Sequence, residues 1–447
     1  MALSSRTPSV QAIPKSILDG PSVLAPSEVH EVPDEGLEAW CTLLGSFLGQ
    51  FCAFGYSNSY GVYQDFYSRH YLSSESSSSI SWIGSLNVFL INAVGPISGR
   101  LHDRGYFYPV FITGVVLQSL SLFMLSLAQP GCYYQVFLAQ GLGSGMAQGL
   151  IHVPSYSILS HHFSRRRPLA TAIVASGAPL GSIVHTIMLN RLLNGPVGFA
   201  TGVRISAGFI TVLLFVACLL VRPRYPPYHT SSVNVWKVTK RCIMGVPSLL
   251  MITGFLLFQT MLLYPFFYLQ TDAIRHGLST SFSFYSVVIL NTGNFCGRLS
   301  VGFLTLFLGV IDLITFSTVA CAVLLLGMVS LGSVSSFVVL GFLYGVFTGN
   351  CIALMPSVVS LLTENPAELG VRMGISFFIA GTPISGALLT RRYLWWAPVL
   401  FCAIVGFCSG LLLFALRIVV SRGSNGPEHR VSQIESEPGP ARTAPSL

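Results

Sequence analysis

A chain of 447 residues with 52% hydrophobic and only 9% charged residues departs from ordinary soluble domains, in which about a quarter of the residues are charged. The apolar excess excludes disorder and argues against a water-soluble enzyme. The net charge of +8 is spread over short loops and tails rather than gathered on one helix face, so it does not point to nucleic acid, and the solvent of most of the chain is lipid.

A span needs about 20 apolar residues to cross roughly 30 Å of hydrocarbon, and twelve such runs are expected. After a polar tail (1–38), expected to be mobile, the first run covers 39–62 and carries Gln50 and Asn58. The second, 80–99, carries Asn87 and Asn92. It leads into a G-R-L-H-D-R-G stretch, Gly99 to Gly105. The glycines there permit close approach and a sharp turn, and Asp103 and Arg104 can bond to neighbouring helix ends in one gating state. The third run is 106–128. The fourth, 133–157, sets Gly141, Gly145 and Gly149 four apart, a row for close helix packing, and carries His152. The fifth, 168–190, carries His185, and the sixth is 204–222.

A polar linker, 223–244, then separates the first six runs from a second six. Two halves of 39–222 and 245–420 are the organisation of many secondary transporters. The seventh run, 245–269, carries Gln259 and Tyr264. In the eighth, 280–303, Asn291, Asn294 and Arg298 share one helix face at i, i+3 and i+7. A charge within a span is costly unless it meets a cavity or a partner, and arginine can hold a carboxylate bidentately. Arg298 is therefore the first candidate for a substrate contact; its plainer alternative is snorkelling to the nearby membrane surface. The ninth run is 309–331, the tenth, 335–361, carries Asn350, the eleventh, 371–390, contains Pro383, and the twelfth is 393–418. A second mobile tail follows at 421–447.

Orientation follows from the basic residues. With the N-terminus in the cytoplasm, seventeen Lys and Arg fall on that side and six on the other, which predicts cytoplasmic termini. No acidic residue lies in the middle of a run, so proton coupling would fall to His152 or His185, each of which can equally be a packed, hydrogen-bonded group. Gln50, Asn87, Asn92, Gln259, Tyr264 and Asn350 can line a central cavity or tie helices together. The sequence contains no G-x-x-x-x-G-K-[ST], no G-x-S-x-G and no metal-ligand box. Neither nucleotide hydrolysis nor enzymatic catalysis is expected, and no cofactor, metal, nucleotide or nucleic acid.

The Gly99–Gly105 stretch resembles the G-x-L-x-D-R-x-G loop of the major facilitator superfamily. In the second half the matching stretch, Gly302 to Gly309, has Leu306 and Phe307 where Asp and Arg would stand. Two further stretches, P-D-E-G-L-E-A-W (Pro33 to Trp40) and H-H-F-S-R-R-R-P-L-A-T-A-I-V-A-S-G (His161 to Gly177), resemble the two signatures of the monocarboxylate transporter-like family. Glu35, Gly36, Ala39 and Trp40 match the first; Phe163, Arg166, Arg167, Leu169, Ala170 and Gly177 match the second. The stretches around Asn58 and Tyr264 are similar to fungal members.

The resemblance implies an all-α membrane protein of twelve transmembrane helices in two six-helix halves, placed in the plasma membrane and working by alternating access. It implies a substrate-binding role for Arg298, with Asn291, Asn294, Asn58 and Tyr264 around it and Gly99, Asp103 and Arg104 at the gate. The family places an aspartate four residues before this arginine, where the chain has Asn294, which is expected to leave Arg298 freer for an anion. A lysine near the outer end of the first span is replaced by Asn58. The eleventh span is shorter than the family norm by about two turns; it is either kinked at Pro383 or lacks residues. The expected activity is transport of a small organic anion, proton-coupled if a histidine serves. The alternatives are export of a secondary metabolite and a transporter-derived sensor.

Overall fold

The computed structural model describes residues 36–224, 235–275, 277–328, 333–363, 368–380 and 396–424. Most of both tails, the part of the eleventh span holding Pro383, and Arg391 and Arg392 just after that span lie outside the described residues. Every regular element among the described residues is a helix. With no water in hydrocarbon, each backbone N–H and C=O must be satisfied within its own segment, which helices achieve.

The N-terminal half contains spans at Leu37–Tyr71, Ser78–Asp103, Phe107–Leu125, Arg167–Leu193 and Phe199–Leu220. Its fourth span runs through three consecutive pieces, Tyr133–Val136, Phe137–Gly143 and Ser144–Ser157. The C-terminal half contains helices at Val246–Arg275, Thr280–Leu304, Val310–Met328, Val334–Leu361, Leu369–Ala380 and Trp396–Ser424. Nine of these twelve are long and apolar enough to cross a membrane among the described residues; Val246–Leu262 and Leu369–Phe378 are shorter apolar stretches. The last helix continues to Ser424, past the expected start of the tail at 421, and the linker contains an amphipathic helix at Val235–Met244.

Serine hydroxyls start three of the spans. Ser76 accepts from Ser79 N–H, Ser279 from Phe282 N–H, and Ser333 from Ser336 N–H, each satisfying a first-turn donor that the helix cannot. Two spans are wound more loosely for a turn, at Tyr67–Tyr71 and Phe137–Gly143. These stretches face each other: Tyr67 Oη donates to Gln140 Oε1 at 2.6 Å. The halves also share a detail of sequence, since both the fourth and the tenth span carry an internal Pro-Ser, Pro154-Ser155 and Pro356-Ser357.

Glycine rows set the closest helix contacts. A Cβ on Gly145 or Gly149 would lie 3.0 Å or less from Asn87, Leu90, Ile91 or Val94 of the second span, so the row in the fourth span packs as its spacing predicts. The buried apolar residues form two clusters. One lies wholly in the N-terminal half, around Tyr56, Tyr63, Tyr67 and Phe111. The other joins the C-terminal half to Val153, Tyr156, Leu159, Phe163, Ala170 and Ala175 of the N-terminal half. The halves therefore close on each other at the membrane face where the fourth span ends and the fifth begins.

Candidate functional site

That closed end is built first from the end of the second span. Its helix runs through Asp103, so Asp103 lies on the last helical turn rather than in a loop. Its Oδ1 accepts from Gly370 N–H at 3.1 Å and its Oδ2 from Val371 N–H at 2.9 Å. Those amides open the helix Leu369–Ala380 of the other half, where free donors and the positive dipole end favour an anion. Close approach is possible because both chains have glycine there. A Cβ on Gly99 would sit 2.1 Å from Gly370 O, and one on Gly374 would sit 2.5 Å from Gly95 O. Arg104 departs from expectation: it follows the helix end, is exposed, and has no carboxylate within bonding distance among the described residues. Instead, Glu368 pairs with Arg372 at 3.2 Å and with Arg241 of the linker helix at 3.6 Å.

The two signature stretches meet on the same side. Trp40 packs edge-on against Phe163 with ring centroids 5.9 Å apart, and His162 Nε2 lies 2.7 Å from the Arg222 carbonyl. His161 and His162 lie between the fourth and fifth spans. Burial pushes the His161 ring down to about 4, helped by the charges of His162 and Arg167; burial also lowers His162.

Deeper in the bundle, Arg298 is 5% exposed. Its Nε donates to Asn294 Oδ1 at 2.8 Å and its Nη1 to the Ala175 carbonyl of the fifth span at 2.5 Å. Asn294 Nδ2 donates onward to Thr348 Oγ1 at 3.2 Å. Arg298 is thus bonded across the two halves and does not snorkel. Asn294 also does not leave it free, as the missing aspartate had suggested: the amide oxygen accepts as a carboxylate would, but without its charge. No carboxylate lies within 4.0 Å of Arg298 among the described residues. Asn291, on the same face, bonds within its own helix to the Val287 carbonyl.

Facing Arg298 from the N-terminal half is a clamp between Gln50 and His152. Gln50 Nε2 donates to the His152 carbonyl at 3.1 Å, and Gln50 Oε1 lies 3.0 Å from His152 Nδ1. The carbonyl accepts only, which fixes the amide orientation and makes Nδ1 the protonated nitrogen. Nε2 is left for another partner. Phe54, Tyr156 and Phe377 surround the imidazole, with centroids at 4.5, 5.3 and 5.6 Å. Ala175, whose carbonyl binds Arg298, packs in the same buried cluster as Tyr156 and Phe377, so these groups make up one site at the seam.

The structure separates the two candidate histidines. His185 is fully buried inside the N-terminal half against Phe51, Tyr56 and Phe209, and among the described residues neither ring nitrogen has a well-aligned partner. It does not join the Arg298 group. Asn58 is exposed one turn beyond Phe54, and the side chain of Tyr264 lies outside the described residues. Of the other amides, Gln50 reaches the site. Asn87 ties Ser57 to the Gln140 carbonyl, Asn350 meets Ser300 and Ser317, and Asn92 bonds to its own helix. The sequence reading missed Phe54, Tyr156 and Phe377. Phe54 follows Gln50, and Tyr156 follows His152, by four residues, a same-face spacing that could have found them; Phe377 carries no such signal.

Comparison with known proteins agrees with this architecture. The profile of the Major Facilitator Superfamily matches residues 43–381. The Aspyridones efflux protein apdF of Emericella nidulans is 32% identical over 402 residues, 89% of this chain and 81% of its own. The Agnestins efflux protein AgnL12 of Paecilomyces divaricatus is 30% identical over 95% of this chain and 99% of its own. Among solved structures, the transporter FucP in its outward conformation superposes with a TM-score of 0.64 at 14% identity, covering 84% of this chain and 98% of that one; at that identity the likeness concerns the fold.

Proposed function

This chain belongs to the Major Facilitator Superfamily, and we propose that it exports an anionic secondary metabolite by alternating access of its two halves. It is a multi-pass membrane transporter of a small molecule; direction, charge and class of substrate are our reading. The observation that carries the reading is Arg298: a buried guanidinium with two neutral partners and no counter-ion among the described residues, at the seam between the halves. Such a charge is costly to keep in a bilayer, and an organic anion entering from the seam would supply what is missing. Relatives described as efflux proteins support the outward direction. The two signature stretches support a carboxylate as the anionic group. Lysine and arginine placement supports cytoplasmic termini, with the plasma membrane as the site of action.

On that orientation the structure is closed to the cytoplasm. Asp103 latches the second span to the eleventh and Arg298 latches the eighth to the fifth. Opening the cytoplasmic side breaks both sets of bonds, and substrate binding at Arg298 replaces one of them. Proton coupling, if the cycle has it, falls to His152, whose Nε2 lies in the site, rather than to His185. The test is untargeted comparison of intracellular and released metabolites in wild-type and deletion strains. Export predicts that one acidic metabolite is retained inside the deletion strain, and that Arg298→Gln fails to restore its release. Loss of that metabolite from inside the cells would instead establish uptake.

A further inference from the structure

We propose that the substrate is a planar aromatic acid whose ring inserts between the His152–Tyr156 wall of the N-terminal half and the Phe377 ring of the C-terminal half, while its anionic group meets Arg298. The inference rests on the anion reading above and adds the class of molecule that bears the charge.

The wall is pre-shaped. Gln50 holds His152 by two hydrogen bonds, so the imidazole plane is fixed before anything binds. Tyr156 stands almost perpendicular to it, at 86°, and Phe54 covers its other side at 4.5 Å. Phe377 touches both members of the wall, at 5.6 Å from His152 and 6.5 Å from Tyr156. These are ordinary aromatic pair distances. Yet the two sides belong to halves that have to part at this level for transport to occur. Parting uncovers the rings of His152, Tyr156 and Phe377 together. An aliphatic chain would restore the lost contact area, but only a ring with its own negative face and positive edge restores the pairing on both sides. The charge belongs at the same seam, because Arg298 bonds the Ala175 carbonyl and Ala175 packs in the same buried cluster as Tyr156 and Phe377.

Three commercial probes separate the parts of this inference when titrated by calorimetry into the full-length purified protein: 2-naphthoate, its saturated counterpart decahydro-2-naphthoate, and uncharged 2-naphthalenemethanol. We expect 2-naphthoate to bind about tenfold more tightly than the saturated acid, the combined preference of two aromatic walls. Tyr156→Leu and Phe377→Leu are each expected to reduce that ratio to about threefold. Phe123→Leu, on the exposed surface of the third span, is expected to leave it unchanged. Equal binding of the two acids overturns the aromatic class while leaving the anion reading standing. Binding of the alcohol as tight as that of 2-naphthoate overturns the anion reading and with it this proposal's pairing of charge and ring. Absence of 2-naphthoate binding overturns the proposal outright, as does a ratio that survives both wall variants.

Discussion

At Arg298 the important quantity is not whether the guanidinium is bonded but what sign its partners carry. Asn294 Oδ1 and the Ala175 carbonyl supply geometry and no charge, so the side chain remains a cation whose field is available to a ligand. Asn294→Asp would keep the same reach and add the counter-ion. A hydrogen bond between charged groups is worth about 1.5–3 kcal/mol, so the variant is expected to bind and transport an anionic substrate roughly tenfold to hundredfold less well while folding normally. Equal transport by wild type and Asn294→Asp would mean that the missing negative charge at 294 does not set how tightly Arg298 holds the anion. Sequence made Arg298 legible because a charge inside an apolar run is rare and costly. It could not reveal Phe377, one phenylalanine among many in apolar runs, nor distinguish His152 from His185, since both are lone histidines on spans and only their neighbours from other spans differ. The partner of Arg298 at Ala175 was equally hidden, because a backbone carbonyl has no sequence identity.

Helix ends carry the next level of behaviour. Asp103 occupies the start of a helix 267 residues away in the chain, replacing the serine that caps other spans. Asp103→Asn leaves one acceptor oxygen, turns an N–H₂ toward the other amide, and removes the charge that the helix dipole attracts. A weakening of about 1–3 kcal/mol is expected. Hydrogen–deuterium exchange should then quicken at Gly370 and Val371 by roughly fivefold or more, with the second span itself unaffected. The connection between the fourth and fifth spans should respond to pH. His161 has its ring held at about 4, against an ordinary value of 6.5, chiefly by burial. A group lowered in the folded state binds fewer protons there than when unfolded, so its stabilising contribution is complete above pH 6.5 and is lost as pH falls towards 4. The melting temperature of the full-length protein should therefore drop across that window, and His161→Gln should make the drop shallower. The Asp103 end of this pair of elements was readable from its motif. Its partner and the burial of the histidine pair were not, because each depends on which helix end arrives against it.

For the molecule as a whole, hydropathy and charge placement were enough to expect twelve helices in two halves, because lipid imposes length and polarity on every span. Which end is closed is a matter of contacts between halves, and there the glycines decide. Gly99 and Gly374 lie against Gly370 and Gly95 so closely that a Cβ added to either meets backbone rather than a side chain able to move aside. Overpacking of such a seam usually costs about 1–3 kcal/mol, and here most of that cost falls on the closed arrangement, since parting the halves relieves it. Gly99→Val should therefore shift the population towards the state open at this end rather than unfold either bundle. Ser157 provides the reporter: it is 1% exposed and its Oγ lies 3.8 Å from Met373 Sδ across the seam. With the native cysteines replaced, Ser157→Cys should resist a bulky maleimide applied from the side of the chain termini. Adding Gly99→Val should raise its labelling rate by about fivefold to a hundredfold, the range that 1–3 kcal/mol converts to. The same variant should lose net transport, because a carrier held open to one side no longer alternates. An unchanged labelling rate in the double variant would mean that the glycine seam does not hold this end shut.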